Sequence, residues 1–332
     1  MIRYIIRRVL IAIPLLIVAS FLSFAMANSM GDPLEDWKLQ RPRSEAEITL
    51  AYHQVGYDKP FMTRYADWAT SFAKGDWKTT VVPGNAGRNV RTDIVSALGV
   101  TFKLVIVAEI LALLLGMAVG VIGAVRQYSI FDYTATGFAF VMFSMPLFCI
   151  ALMLKFGGIQ FNNWLEQGGL QRWIVTAGPP PGGFSGDVGH QIFQYTGAYL
   201  LPTLCLLAIQ FALYSRFQRA SMLDVMNADY VRTAQAKGIS QARVVFRHAF
   251  RNALIPIATV AAVNAGEIVG GAVITESVFG WQGMGRLFVD AVYKKEPYMV
   301  MGWMMVTAVF VIAFNLVADI LYAFLDPRIR LD

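Results

Sequence analysis

The sequence predicts an all-α integral membrane protein: six transmembrane helices, both termini cytoplasmic, and a small external subdomain between spans one and two. Three observations carry this. The 332-residue chain is 56% hydrophobic and only 15% charged, with mean hydropathy +0.52, outside the range of soluble domains. Six stretches, near 9–29, 99–125, 134–157, 197–216, 255–276 and 299–324, each supply the roughly 20 mostly apolar residues that a ~30 Å hydrocarbon core requires. The Lys and Arg surplus behind the net charge of +6 sits beside these stretches, so topology explains it better than a nucleic-acid partner does.

Residues 1–29 hold a basic N-terminus, with Arg3, Arg7 and Arg8, and span one. The segment "AMANSM" could pass for a signal-peptide cleavage site after Ala27, but the apolar run is longer than the roughly 7–15 residues of a signal-peptide core, which favours a retained span. Residues 30–98 carry nine basic and nine acidic side chains, three tryptophans (Trp37, Trp68, Trp77) and helix-like text such as "EAEITLAYHQVG". That is too long and too aromatic for a plain linker, and it reads as the external subdomain.

Residues 99–332 form a five-helix core. In span three "FSMP" places Pro146 where it removes a backbone hydrogen bond, either bending the helix beside a channel or merely kinking it. "AGPPPGGFSG", 177–186, is a surface connection between spans three and four. The segment 216–254 holds seven Lys and Arg against Asp224 and Asp229, and the C-terminus carries Arg328 and Arg330, so these belong in the cytoplasm. Residues 277–298 then lie outside.

Several chemistries are excluded by what the chain lacks. Cys149 and Cys205 lie in apolar runs and read as small buried hydrophobes, while His53, His190 and His248 have no ligand spacing, so neither a disulfide framework nor a metal site is expected. There is no GxxxxGK[ST] loop, so the chain is not an ATPase. An intramembrane protease would need a motif that does not occur. A transporter driven by an ion gradient would use Glu109, Glu267 and Asp319, the acids inside spans, as coupling-ion ligands.

The loop 216–254 needs its own account. Helical spacing over 221–237 aligns Met222, Val225, Met226 and Tyr230, and Gly238 supplies a stop. Ser240 can cap a second helix, in which Ala242, Val245, Phe246, Ala249, Phe250 and Ala253 form an apolar face beside a stripe of Arg243, Arg247 and Arg251. The arginines either fix topology and touch anionic lipid headgroups or face a partner. Thr233, Ala234, Ala236 and Gly238 have little bulk and are flanked by Arg232 and Lys237, so a partner backbone can approach closely: a docking knob.

"YVRTAQAKG" at 230–238 and "RHAFRNALIP" at 247–256 resemble the EAA loop of the permease subunits of ATP-binding-cassette importers, in the oligopeptide, dipeptide and nickel branch. Gly31-Asp32-Pro33, "GYDKP" at 56–60, "FGWQGMGRL" at 279–287 and "DPRIR" at 326–330 are similar to further family signatures, in the family's order. Nearly the whole chain is covered, and the large loop after span one resembles the B-type subunit. Two departures stand out: Arg232-Thr233-Ala234 replaces the general Glu-Ala-Ala start, with Pro256 eighteen positions beyond Gly238, and Gln282 stands where the family often has Pro.

The resemblance implies a permease in the bacterial inner membrane that forms half of a pathway for oligopeptides or dipeptides, or for another solute such as a nickel chelate, glutathione or an antibiotic peptide. It implies a second homologous permease subunit, two cytoplasmic ATPase subunits that hold ATP and Mg, and an external substrate-binding protein, with no cofactor on this chain. The coupling element would comprise Tyr230, Arg232, Thr233, Ala234, Ala236, Lys237, Gly238 and Arg243. Phe279 and Trp281 would plug an outer gate. Pathway candidates from the residues themselves are Glu267, Asn264, Glu276 and Pro146. The competing role for the glycines at 116 and 120, and at 266 and 270, is GxxxG helix packing.

Overall fold

A computed structural model describes residues 2–39, 44–83, 85–180 and 183–325, and among these it is helical without a strand. The long helices are α1 (Ile2–Ser29), α5 (Val90–Val125), α8 (Val188–Met226) and α14 (Pro297–Leu325). These four are long and apolar enough to cross a membrane, and a fifth span arises if α6 (Ile130–Ser144) and α7 (Leu147–Gln167) count as one. Three short helices, α2 (Glu35–Leu39), α3 (Glu45–Val55) and α4 (Phe61–Ala73), lie between α1 and α5. After α8 come α9 (Asp229–Ala236), α10 (Gln241–Arg243), a π-helical turn (Val244–Phe250), α11 (Arg251–Val269), α12 (Val273–Phe279) and α13 (Met284–Tyr293).

Two expected spans differ in form. The third, expected as one helix over 134–157, is broken at Met145–Pro146, and its halves meet at 104°. Met145 is extended (φ −80°, ψ 131°), as the residue before a proline prefers, so Pro146 opens a new helix rather than bending an old one. The fifth, expected over 255–276, is α11 of 19 residues, which ends before Gly271 at φ 109°; residues 273–279 turn away as α12.

The bundle is organised by the crossing of α5 and α8. A β-carbon at Gly116 would fall 2.7 Å from Tyr214 Cβ, and one at Gly120 would fall 2.7 Å from both Gln218 Cβ and the Ser215 carbonyl oxygen. Only glycine lets the two backbones approach so closely, and the 116–120 pair therefore serves helix packing. Gly266 plays a milder version of this role against Val311 and Phe314 of α14. Beside the crossing, α6 is tied to α8 by a bidentate ion pair, Arg219 to Asp132 at 2.6 and 2.8 Å. On the opposite flank Arg8 of α1 pairs with Asp319 of α14 at 3.1 Å, giving that in-span acid a partner.

Helix α5 begins at Val90, well before the apolar stretch at 99. Asn89 caps it by accepting the Thr92 amide at 3.1 Å, and Val90, Ile94 and Ala97 are buried while Arg91 and Thr92 point outward. Those three residues join Phe24 and Ala27 of α1, Trp68 of α4, Met284 of α13 and Met299 to Val306 of α14 in one core. Segment 30–89 thus shares its core with the ends of the long helices. Its turn at 79–89 is pinned by Glu296, 1% exposed, whose carboxylate accepts the Val81 and Val82 amides at 3.0 Å each. Burial pushes the Glu296 carboxyl above its usual range, against the opposing pull of those amides and of Asn85.

Replacing Gly120 by Ala should destabilise the protein by about 1–3 kcal/mol through overpacking, whereas Gly137→Ala, with no atom within 4 Å of the added carbon, should be neutral or slightly stabilising. Thermal unfolding in detergent reads the difference. Glu296→Ala leaves two amides without an acceptor, at about 1–3 kcal/mol each. Limited proteolysis should then cut within 79–89 faster than in the parent.

Candidate functional site

The segment after α8 forms a compact helical loop at one end of the bundle. Helix α8 stops at Met226, and Asn227 turns back to donate to the Leu223 carbonyl at 3.0 Å. The expected continuous helix over 221–237 is therefore two, with Met222 buried against α5 and Tyr230 exposed on the next helix. Helix α9 ends at Ala236, and Gly238 just beyond it takes the left-handed conformation (φ 74°) and donates to the Gln235 carbonyl at 2.9 Å, the stop that the sequence predicts. Ser240 precedes α10 without a side-chain capping bond, another departure from expectation.

The second helix is wound differently from an ideal α-helix. Over Val244–Phe250 it is π-helical, so its residues return to a given face later than every 3.6 positions. The buried side is Val244, Val245, Ala249 and Ala253, whereas Ala242 and Phe246, expected inside, face outward. Arg243, Arg247 and Arg251 remain exposed together.

Helix α9 presents two unlike sides. Val231 and Ala234 are buried against Val244, Val225 and Ile239, which clamps α9 to the start of the second helix. Tyr230 accepts a hydrogen bond from Asn252 of α11 at 2.8 Å, a second tie that spacing alone did not reveal. The opposite side, Arg232, Thr233, Ala236, Lys237 and Gly238, is exposed. Of the eight sequence-predicted coupling residues, Ala234 thus faces inward and the other seven outward.

The pathway candidates are dispersed. Asn264 of α11 donates to the Tyr214 hydroxyl at 3.4 Å, Tyr214 donates to Glu109 of α5, and Gln210 donates to the other Glu109 oxygen at 3.1 Å. This polar cluster joins α5, α8 and α11 at the middle of α5, with Glu109 half-buried and without a basic partner among the described residues. Glu267 lies on α11, but its side chain falls outside the described residues, as does the "DPRIR" stretch. Pro146 is exposed at the break between α6 and α7.

Glu276 is fully enclosed. Its carboxylate accepts the Thr101 hydroxyl at 2.7 Å and the Arg286 amide at 3.0 Å, while Thr101 in turn accepts the Met284 amide at 2.8 Å. A β-carbon at Gly283 would collide with this carboxylate, which explains the glycine in "FGWQGMGRL". Phe279 and Trp281, 1% and 4% exposed, pack on Leu104, Ile150, Leu201 and Cys205, so both rings are held within this chain. Lys155 of α7 adds a bond to the Val278 carbonyl at 2.7 Å. Among the described residues no three His, Cys, Asp or Glu gather to hold a metal.

Residues 112–331, which include the loop, α11 and the α12–α13 hairpin, match the family described as binding-protein-dependent transport system inner membrane component. Over 331 residues the chain is 35% identical to the oligopeptide transport system permease protein OppB of Mycobacterium tuberculosis, covering 99% of each. It is 35% identical over 329 residues to the oligopeptide permease AppB of Bacillus subtilis, covering 98% of this chain and 99% of the relative. With the dipeptide permease DppB of Escherichia coli K12 it shares 33% over 340 residues, 99% of each. The family match and these full-length likenesses converge: the chain belongs to the binding-protein-dependent transport system inner membrane component family, as a permease subunit of the bacterial inner membrane.

Proposed function

We propose that this permease forms half of the translocation pathway for oligopeptides or dipeptides, handed over by an external substrate-binding protein and moved at the expense of ATP held with Mg by two cytoplasmic ATPase subunits. A second homologous permease supplies the other half. In this reading the chain spans the membrane six times, with α6 and α7 as one broken span and α11 as another, and both termini and the loop 216–254 lie in the cytoplasm. Segment 30–98 is then external, as is the α12–α13 hairpin that Phe279 and Trp281 position as part of an outer gate.

The observation that carries the proposal is the two-sided build of α9. Its inner side is fixed by Val231 and Ala234, its first turn is tied to α11 by the exposed Tyr230–Asn252 bond, and its outer side offers small residues between two cations. A helix bound to its own bundle on one side and bare on the other is a lever for a groove in a partner. A push on α9 is passed to α11 through Asn252 and to α8 through Val225. An ion-driven transporter would leave this face without a role. Related permeases for a nickel chelate, glutathione or an antibiotic peptide would share the same lever, so the loop does not choose the solute.

With Ala236→Cys and cysteines set in the groove of the ATPase subunit, disulfide crosslinking should form and change when ATP is added. No crosslink at any groove position, in complexes shown to be intact, would remove α9 as the coupling element. Gly238→Trp provides an independent test, because a β-carbon added there would meet open space, with no atom beyond its chain neighbours within 4 Å. The left-handed backbone costs a Trp roughly 1–2 kcal/mol, a local strain, while its bulk meets only the partner. Assembly should survive and ATP hydrolysis should no longer drive uptake; normal uptake would count against the lever.

A further inference from the structure

A cavity of about 430 Å³ opens between α5, α6 and α8, at the end of the bundle that leads into the basic loop. Its lining includes small residues from both neighbouring helices, Gly120 and Gly123 of α5 and Ala135 and Ala139 of α6. Its volume lies within the roughly 300–1,000 Å³ of small-molecule sites. The wall is apolar and aromatic, with Phe140, Phe143 and Phe217 on the outer rim, each about half exposed.

Two cations reach into this cavity, and they differ. The Arg219 guanidinium is neutralised by the bidentate bond to Asp132, the one carboxylate in the lining. Arg216 has no carboxylate partner among the described residues, and its guanidinium stacks instead over Phe140 at 4.4 Å and Phe143 at 5.0 Å from the ring centroids. Stacking fixes the guanidinium plane and leaves its N–H edge without a charged acceptor. Arg216 also stands at the last position of the apolar stretch 197–216, where a span meets the headgroup region. The pocket therefore carries one uncompensated positive charge, pre-oriented for a pair of anionic oxygens, beside exposed rings suited to acyl chains.

We propose that this cavity is a binding site for an anionic phospholipid, with the headgroup phosphate on Arg216 and an acyl chain along Phe143 and Phe217. A phosphate takes two parallel N–H bonds from one guanidinium, and a lipid supplies the apolar tail that the aromatic rim requires. A free anion would leave the rim bare. A helix of the second permease would need a carboxylate at this depth to satisfy Arg216. The assignment to the cytoplasmic leaflet rests on the orientation proposed above; binding itself does not depend on it.

The test uses the assembled transporter, purified in detergent, delipidated and offered phosphatidylglycerol, phosphatidylcholine or inorganic phosphate before native mass spectrometry. Phosphatidylglycerol should be retained in preference to phosphatidylcholine, and millimolar phosphate should not displace it. Arg216→Ala should weaken retention about tenfold, the loss expected for one charge-assisted contact, while Arg216→Lys, which keeps the charge without the fork, should fall between. Equal retention of the two lipids by the parent protein, which needs no variant to fold, would overturn the proposal. So would full displacement by phosphate, or crosslinking of Phe143→Cys to a cysteine on the second permease.

Discussion

The close crossing of α5 and α8 is the constraint on which the other arrangements depend. With Gly116 and Gly120 presenting no side chain of their own to α8, the two longest helices meet along a fixed line and cannot rotate independently. That line sets where Tyr214 reaches Glu109, where Arg219 reaches Asp132, and how Met222 meets Val121, Val245 and Ala249. Lipid offers no hydrophobic drive for helices to associate, so dispersion contact at this density and a few buried polar bonds hold the bundle.

Helix α8 also links the two ends of the molecule. Its 39 residues extend about 58 Å at 1.5 Å per residue, well beyond a ~30 Å hydrocarbon core. At one end Ala198, Leu201 and Cys205 pack under Phe279 and Trp281 of the α12–α13 hairpin; at the other Val225 and Met222 meet α9 and the π-helical turn. One rod touching both sites is a physical route for a displacement at α9 to reach the hairpin, with Pro202 inside α8 as the one place where its hydrogen-bond ladder is interrupted.

The helical class, the apolar stretches and the turn at Gly238 were legible in the sequence because each rests on a local property: hydropathy over a window, or the φ that glycine alone adopts freely. What was not legible depends on tertiary context. Hydropathy marks where a helix meets lipid and not where it begins, so α5 starts at Val90 under cover of α13 and α14. A 3.6-residue period placed Phe246 inside, whereas π winding turned it out. Glu276 read as a pathway candidate because its donors, the Thr101 hydroxyl and the Arg286 amide, lie far away in sequence or on a backbone. Ala234 carried no sign of which side of α9 it occupies.

The buried acids divide by what they bond. Glu276 and Glu296 are nearly inaccessible and each is met by backbone amides, one holding the α12–α13 hairpin to α5 and the other holding the 79–89 turn to α14. An amide cannot swing away as a side chain can, so these carboxylates act as rivets for the segments at the same end of the bundle. Glu109 is met only by side chains, Tyr214 and Gln210, and is half open. Side-chain bonds can rearrange by rotamer change while the α5–α8 crossing and both rivets stay intact, so the Glu109 cluster near the middle of the span is the part free to alter first. Rigid ends and a rearrangeable polar centre are what a permease needs if it is to change access without unfolding.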